Sequence, residues 1–182
     1  MPQRPTDVSS FVTALLPSLS RSLAEQFNVF RVMHHGTHEK QLSNVFAWLF
    51  TAGATHELGD AVQRIFVSLV NEALPVDSQL PPTGYRVTQE VDTRGEEEVA
   101  DGEVGMDIAD IFLARDDAAV IIENYETSDG HGHGYHRYRE HAAVAGKDAA
   151  VVLLCRRREA YLQRDGWEEA VVVTYAEVLD RL

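Results

Sequence analysis

Ile108-Ala109-Asp110-Ile111-Phe112-Leu113-Ala114-Arg115-Asp116-Asp117-Ala118-Ala119-Val120-Ile121-Ile122-Glu123-Asn124-Tyr125 is the stretch on which the fold turns. Two apolar runs of strand length flank three charged residues, so the segment reads as antiparallel strands over 107–114 and 118–125, closed by a tight turn at 115–117. Each run carries a carboxylate away from the turn. Asp110 lies inside the first apolar run and Glu123 ends the second, where an ionised carboxylate is costly unless a cation or hydrogen-bond donors offset it. Asp107 and Asp110 are three positions apart and cannot share one face of a regular strand. Asp110 is the favoured ligand of the two because it sits deeper among apolar neighbours.

Working outward toward the N-terminus, Tyr85, Val87, Gln89 and Val91 alternate with Arg86, Thr88, Glu90 and Asp92, which predicts a half-buried strand. On three adjacent strands Glu90, Asp110 or Asp107, and Glu123 would meet, and carboxylates so close call for a hard metal ion. Residues 94–105 form an acidic connection. Further back, Val62, Ile65, Phe66, Leu69 and Val70 recur at helical spacing from Gly59 or Asp60 until Leu74-Pro75. A preceding helix opens near Thr37 and buries Leu42, Val45, Phe46 and Leu49, with Glu39 in its first turn. Phe11, Leu15, Leu19 and Leu23 predict an earlier helical region despite Pro17. His34, His35 and His38 have no ligand spacing and read as helix-entry surface.

Toward the C-terminus, Ser128-Asp129-Gly130-His131-Gly132-His133-Gly134 lets the backbone approach a ligand, and His131 and His133 can converge on a metal, a phosphate or a proton. A helix bearing Tyr135, Tyr138, His141 and Ala142 follows, then strands over 149–155 and 170–173 and a helix over 175–182. Arg156-Arg157-Arg158, directly after a strand, is the one local basic patch: its charge could steer a phosphate, and a solvated strand-end turn is the ordinary reading. The whole is α/β: a mixed central sheet flanked by helices in a single domain over 1–182, mainly helical over 1–75 and sheet-containing over 85–182.

The chain has 182 residues and a formal charge of −13, and only Lys40 and Lys147 are lysines. A surface of that sign repels phosphate polymers, so a broad basic nucleic-acid face is excluded and any phosphate contact must be local or metal-bridged. The single cysteine, Cys155, excludes an internal disulfide and a Cys/His structural zinc site, and its apolar neighbours predict a buried, inert thiol. No run approaches the ~18 apolar residues of a membrane span. A cytoplasmic protein without membrane contact is expected.

The segments Asn28-Val29-Phe30-Arg31-Val32, Glu39-Lys40-Gln41-Leu42-Ser43-Asn44-Val45-Phe46-Ala47-Trp48-Leu49 and His56-Glu57-Leu58-Gly59-Asp60 resemble the N-terminal helical pattern of one bacterial branch of the PD-(D/E)XK nuclease superfamily. Asp110 through Ile121-Ile122-Glu123-Asn124 resembles its acidic hairpin, and Ser128-Asp129-Gly130 with Arg137-Tyr138 resembles the following loop and helix. The resemblance runs from about Asn28 to Cys155. It implies a restriction-endonuclease-like core, Mg²⁺ or Mn²⁺ bound by Asp110 and Glu123 with Glu39 joining them, and phosphodiester cleavage. It also implies a lysine two residues after the glutamate, where this chain has Tyr125, and a glutamine opening the next helix, where it has Gly134 or Tyr135. A phenol with a pKa near ~10 supplies no positive charge, though it hydrogen-bonds a water or a phosphate oxygen.

Three functions follow. The first is a metal-dependent nuclease-like hydrolase in which Tyr125, His131 and His133 replace the Lys and Gln, the histidines also offering ligands to another divalent metal. The second is a metal-dependent enzyme of the same fold acting on a small molecule, and the third a catalytically inactive binding module. The retained acids favour the first two. Nucleic acid, by local contact only, or a small-molecule substrate is the expected partner.

Overall fold

The computed structural model describes residues 38–94, 108–125, 134–144 and 147–182. The expected helical region before residue 38, the acidic connection with Asp107, and both His131 and His133 lie outside the described residues. Helices α1 (His38–Phe50) and α2 (Ala61–Ala73) lead through a short 3₁₀ turn, Val76–Ser78, into β1 (Arg86–Asp92). Then come β2 (Ile108–Ala114), β3 (Ala118–Tyr125), α3 (Tyr135–Ala142), β4 (Asp148–Cys155), β5 (Val171–Thr174) and α4 (Tyr175–Leu179). The five strands form one sheet in chain order, β1-β2-β3-β4-β5. The first three are antiparallel neighbours, whereas β4 runs parallel to β3 and β5 parallel to β4.

The burial of each strand explains its composition. The interior strands β3 and β4 are covered on both faces, which is why they read as unbroken apolar runs, whereas β1 is an edge strand left mostly exposed. On β3, Ala118, Val120 and Ile122 join Phe46, Phe50, Phe66 and Val70 of α1 and α2 in one core. Its odd positions, Ala119, Ile121 and Tyr125, face a second core built on Tyr135 and Tyr138 of α3 with Trp167. Period-two alternation thus sorts the strand into two layers, with α1, α2 and α4 on one side and α3 on the other.

Two polar devices hold these layers in register. Gln63 of α2 is buried, and its amide donates to Phe50 O at 2.7 Å and Tyr85 O at 2.9 Å while accepting from Tyr85 N at 3.1 Å. One side chain thereby satisfies backbone groups at the end of α1 and the entry to β1. The five-residue α4 is too short to be stable alone. A capping box supports it: Thr174 Oγ1 accepts from Glu177 N at 3.2 Å, and Glu177 Oε2 accepts from Thr174 N at 2.8 Å. Arg158 pairs with the same glutamate at 2.8 Å. No helix among the described residues is long and apolar enough to cross a membrane.

Candidate active site

The site is built at the carboxyl end of β3, on Glu123, Asn124 and Tyr125, beside the opening of β2. The β2–β3 pairing runs from Ala114↔Ala119 to Ile111↔Ile122. One step further along that register stands Asp110 opposite Glu123, and both residues are half-buried. Opposed residues on antiparallel strands point to the same face, with Cβ atoms roughly 4.5–5.5 Å apart. At this step the ladder gives way to side chains: Asn124 N donates to Asp110 Oδ2 at 2.8 Å. On the α3 side, the hydroxyl of the fully buried Tyr138 donates to Glu123 Oε2 at 2.9 Å and lies 3.1 Å from Ile108 O. One oxygen of each carboxylate is therefore fixed by the fold.

Asn124 points into the opposite layer and is buried there. Its Nδ2 donates to Ser43 Oγ of α1 at 3.0 Å, and its Oδ1 accepts from the hydroxyl of Tyr175 in α4. The strand bearing Glu123 and Tyr125 is thus tied to two helices between those residues, and the capping box of α4 bears on the site through Tyr175.

The sequence-predicted residues divide as follows. Asp110 and Glu123 are brought together. Glu90 occupies the register position opposite Asp110, between Gln89↔Ile111 and Val91↔Ala109, but its backbone is left-handed, with φ of 53°. That conformation interrupts the pleat, and its exposed carboxylate ion-pairs with Lys40 of α1. Glu39 lies in the first turn of α1, one residue before Lys40, and its side chain is outside the described set. Among the described residues no group of three or more His, Cys, Asp or Glu side chains converges on a metal position.

Tyr125 follows Glu123 by two residues on the same face and pairs in register with Cys155. Its ring is nearly buried, its centroid 6.4 Å from that of Tyr161. Both tyrosines line a cavity of about 180 Å³ together with Cys155, Arg156, Arg157, Glu159 and Leu162. Cys155 is no nucleophile here, because burial pushes its thiol up to about 11. His141 of α3 lies edge-on to Phe112 at 5.5 Å, and burial holds its pKa below the ordinary histidine value.

Sequence reasoning did not identify the roles of Tyr138, Asn124, Ser43 and Tyr175. Tyr135 and Tyr138, three apart in a helix otherwise rich in charge, were a signal for a buried face. Nothing in the linear sequence pairs Asn124 with a serine 81 residues earlier.

Compared with known proteins, the chain matches the family model described as the PD-(D/E)XK nuclease superfamily over residues 27–178. No curated protein matches it.

Proposed function

Because the chain belongs to the PD-(D/E)XK nuclease superfamily, a family of nuclease-like phosphodiester hydrolases, we propose that it is a metal-dependent phosphodiester hydrolase whose reaction centre lies at Asp110 and Glu123. The observation that carries this reading is the opposition of two half-buried carboxylates, each held through one oxygen by a hydrogen bond from the fold. Two ionised carboxylates at opposed strand positions repel each other, the more strongly for being half-buried. A divalent cation offsets that repulsion. The donor set is hard oxygen and fits Mg²⁺ or Mn²⁺, since Mg²⁺ is commonly held by one or two carboxylates plus substrate phosphates. Glu39 is the proposed third ligand. When bound, such an ion polarises the phosphoryl oxygen and lowers the pKa of a water beside it.

The chain's own residues supply position and hydrogen bonds. Tyr138 orients Glu123, the Asn124 N–H orients Asp110, and the Asn124 side chain ties the strand to α1 and α4. Tyr125 stands where a lysine is expected, and its phenol serves as a hydrogen-bond partner for a phosphate oxygen or the attacking water without supplying charge. His131 and His133, in the segment following β3, act as general base or as the missing positive charge. A small phosphodiester is the second reading of the substrate, favoured by the net charge of −13.

Titration with Mg²⁺ and Mn²⁺ is expected to raise the unfolding temperature. Glu123→Ala removes the rise and the cleavage of a panel of single- and double-stranded DNA, RNA and dinucleotide substrates. A wild-type protein that neither responds to the metals nor cleaves any of these overturns the proposal.

A further inference from the structure

We infer that the cavity between the carboxyl ends of β3 and β4 is a phosphate-binding subsite, with Arg156 and Arg157 as its anion ligands, set beside the Asp110–Glu123 centre. Its role in cleavage rests on the function proposed above. Its capacity to bind phosphate does not.

Among the described residues of this acidic chain, five arginines close on carboxylates. Arg64 closes on Asp60, Arg94 on Asp92, Arg115 on Asp117, Arg158 on Glu177 and Arg181 on Glu72. Among the described residues Arg86 and Arg164 close no such pair, and neither do Arg156 and Arg157, which differ in standing side by side at one cavity. Both are exposed and line the cavity, and neither has an ion-pair partner among the described residues. Glu159 brings one negative charge to the same wall, so the formal charge of the lining is +1 in a chain of −13. Guanidinium is the group best matched to a phosphate, through two parallel N–H···O bonds.

Placement supports the same ligand. Tyr125 and Cys155 are register partners on parallel strands, so Arg156 and Arg157 extend β4 directly past the strand end. Ligands of open α/β sheets bind outside the carboxyl ends of their strands. Tyr125 is two residues from Glu123 on one face, about 7 Å by the rise of an extended chain, a spacing on the order of one nucleotide along a backbone. At about 180 Å³ the cavity takes a phosphate group and has no room for a duplex. A phosphate held here places the adjoining phosphodiester at the carboxylates. Such a subsite would let so acidic a chain hold an anionic substrate through a local contact in place of a basic face.

The test is a titration of the full chain with inorganic phosphate in EDTA, followed by calorimetry and thermal unfolding. Saturable binding in the millimolar range is expected in wild type, reduced at least tenfold in Arg156→Ala/Arg157→Ala and unchanged in Arg158→Ala. Neither arginine side chain bonds within the described fold, so the double variant should unfold at the wild-type temperature without phosphate. An absence of binding in wild type, or undiminished binding in the double variant, overturns the subsite. Oligonucleotides with and without a terminal phosphate separate the two sources of the group. A preference for the phosphorylated end that disappears in the double variant identifies a terminal phosphate. Equal binding of both, equally weakened, identifies an internal one. Phosphate binding that survives alongside failed cleavage and failed metal response supports the subsite and rejects the hydrolase.

Discussion

Replacing Tyr138 by phenylalanine tests the bond that positions Glu123. Tyr138 is fully buried and its ring meets Trp167 edge-on, with centroids 5.7 Å apart at 86°, so phenylalanine keeps the packing and loses only the hydroxyl. The variant loses the 2.9 Å donation to Glu123 Oε2 together with the 3.1 Å contact to Ile108 O, and the double-variant cycle isolates the first. A hydrogen bond to a charged acceptor is worth about 1.5–3 kcal/mol. In a chain of this length each kcal/mol moves the unfolding temperature by about 2–4 °C, so the variant should unfold about 3–12 °C lower at pH 7 without metal. Glu123→Gln and the double variant complete a thermodynamic cycle, whose coupling energy should reach about 1–2 kcal/mol. Tyr138 is a positioning residue and acts through the glutamate. If the proposed metal centre is correct, loss of such a partner should weaken Mn²⁺ binding about 10–100-fold, which calorimetry reads independently of stability. An unchanged unfolding temperature, with effects that simply add in the double variant, would refute this account of Glu123.

Two further outcomes test the scaffold. Gln63→Leu deprives Phe50 O, Tyr85 O and Tyr85 N of their partner in a buried site. At about 1–3 kcal/mol per orphaned group, less about 2 kcal/mol gained by burying leucine, the loss should be about 1–7 kcal/mol by urea unfolding, and no loss would show the strut to be dispensable. At alkaline pH, burial raises Tyr85 to about 12 and Cys155 to about 11, from ordinary values of 10 and 9. Both pKa values are higher in the folded state, so the native protein holds more protons than the unfolded one. Stability from these groups is complete below pH 9 and falls as pH rises from 9 toward 12, by about 2–3 kcal/mol for each. Chemical denaturation from pH 8 to 11.5 measures it, and a flat profile contradicts the burial of both groups.

The elements were legible where a single periodicity governed a long segment. The spacing of Val62, Phe66, Leu69 and Val70 gave α2, and two apolar runs around Arg115-Asp116-Asp117 gave the β2–β3 hairpin. Charge repulsion and the cost of a carboxylate among apolar neighbours likewise singled out Asp110 and Glu123. Glu90 shows the limit of such reasoning. Alternation assumes an unbroken pleat, and at that one residue the backbone is left-handed and the carboxylate pairs with Lys40. The arginine triplet shows the same limit. As sequence it is one basic run, whereas in the fold Arg158 is engaged by Glu177 and its two neighbours line a cavity.

By itself, the sequence determined the α/β class, the strand-turn-strand carrying the two acids, a buried cysteine and a net charge of −13. These depend on local periodicity, composition and net charge, which are properties of the linear chain. Tertiary structure alone decided that Tyr138 orients Glu123, that Ser43 and Tyr175 tie down Asn124, and that Tyr125 opens onto Arg156 and Arg157. Each of these joins residues on elements far apart in the sequence. Their meeting depends on strand order and helix docking, which buried apolar area drives and a residue pattern does not encode.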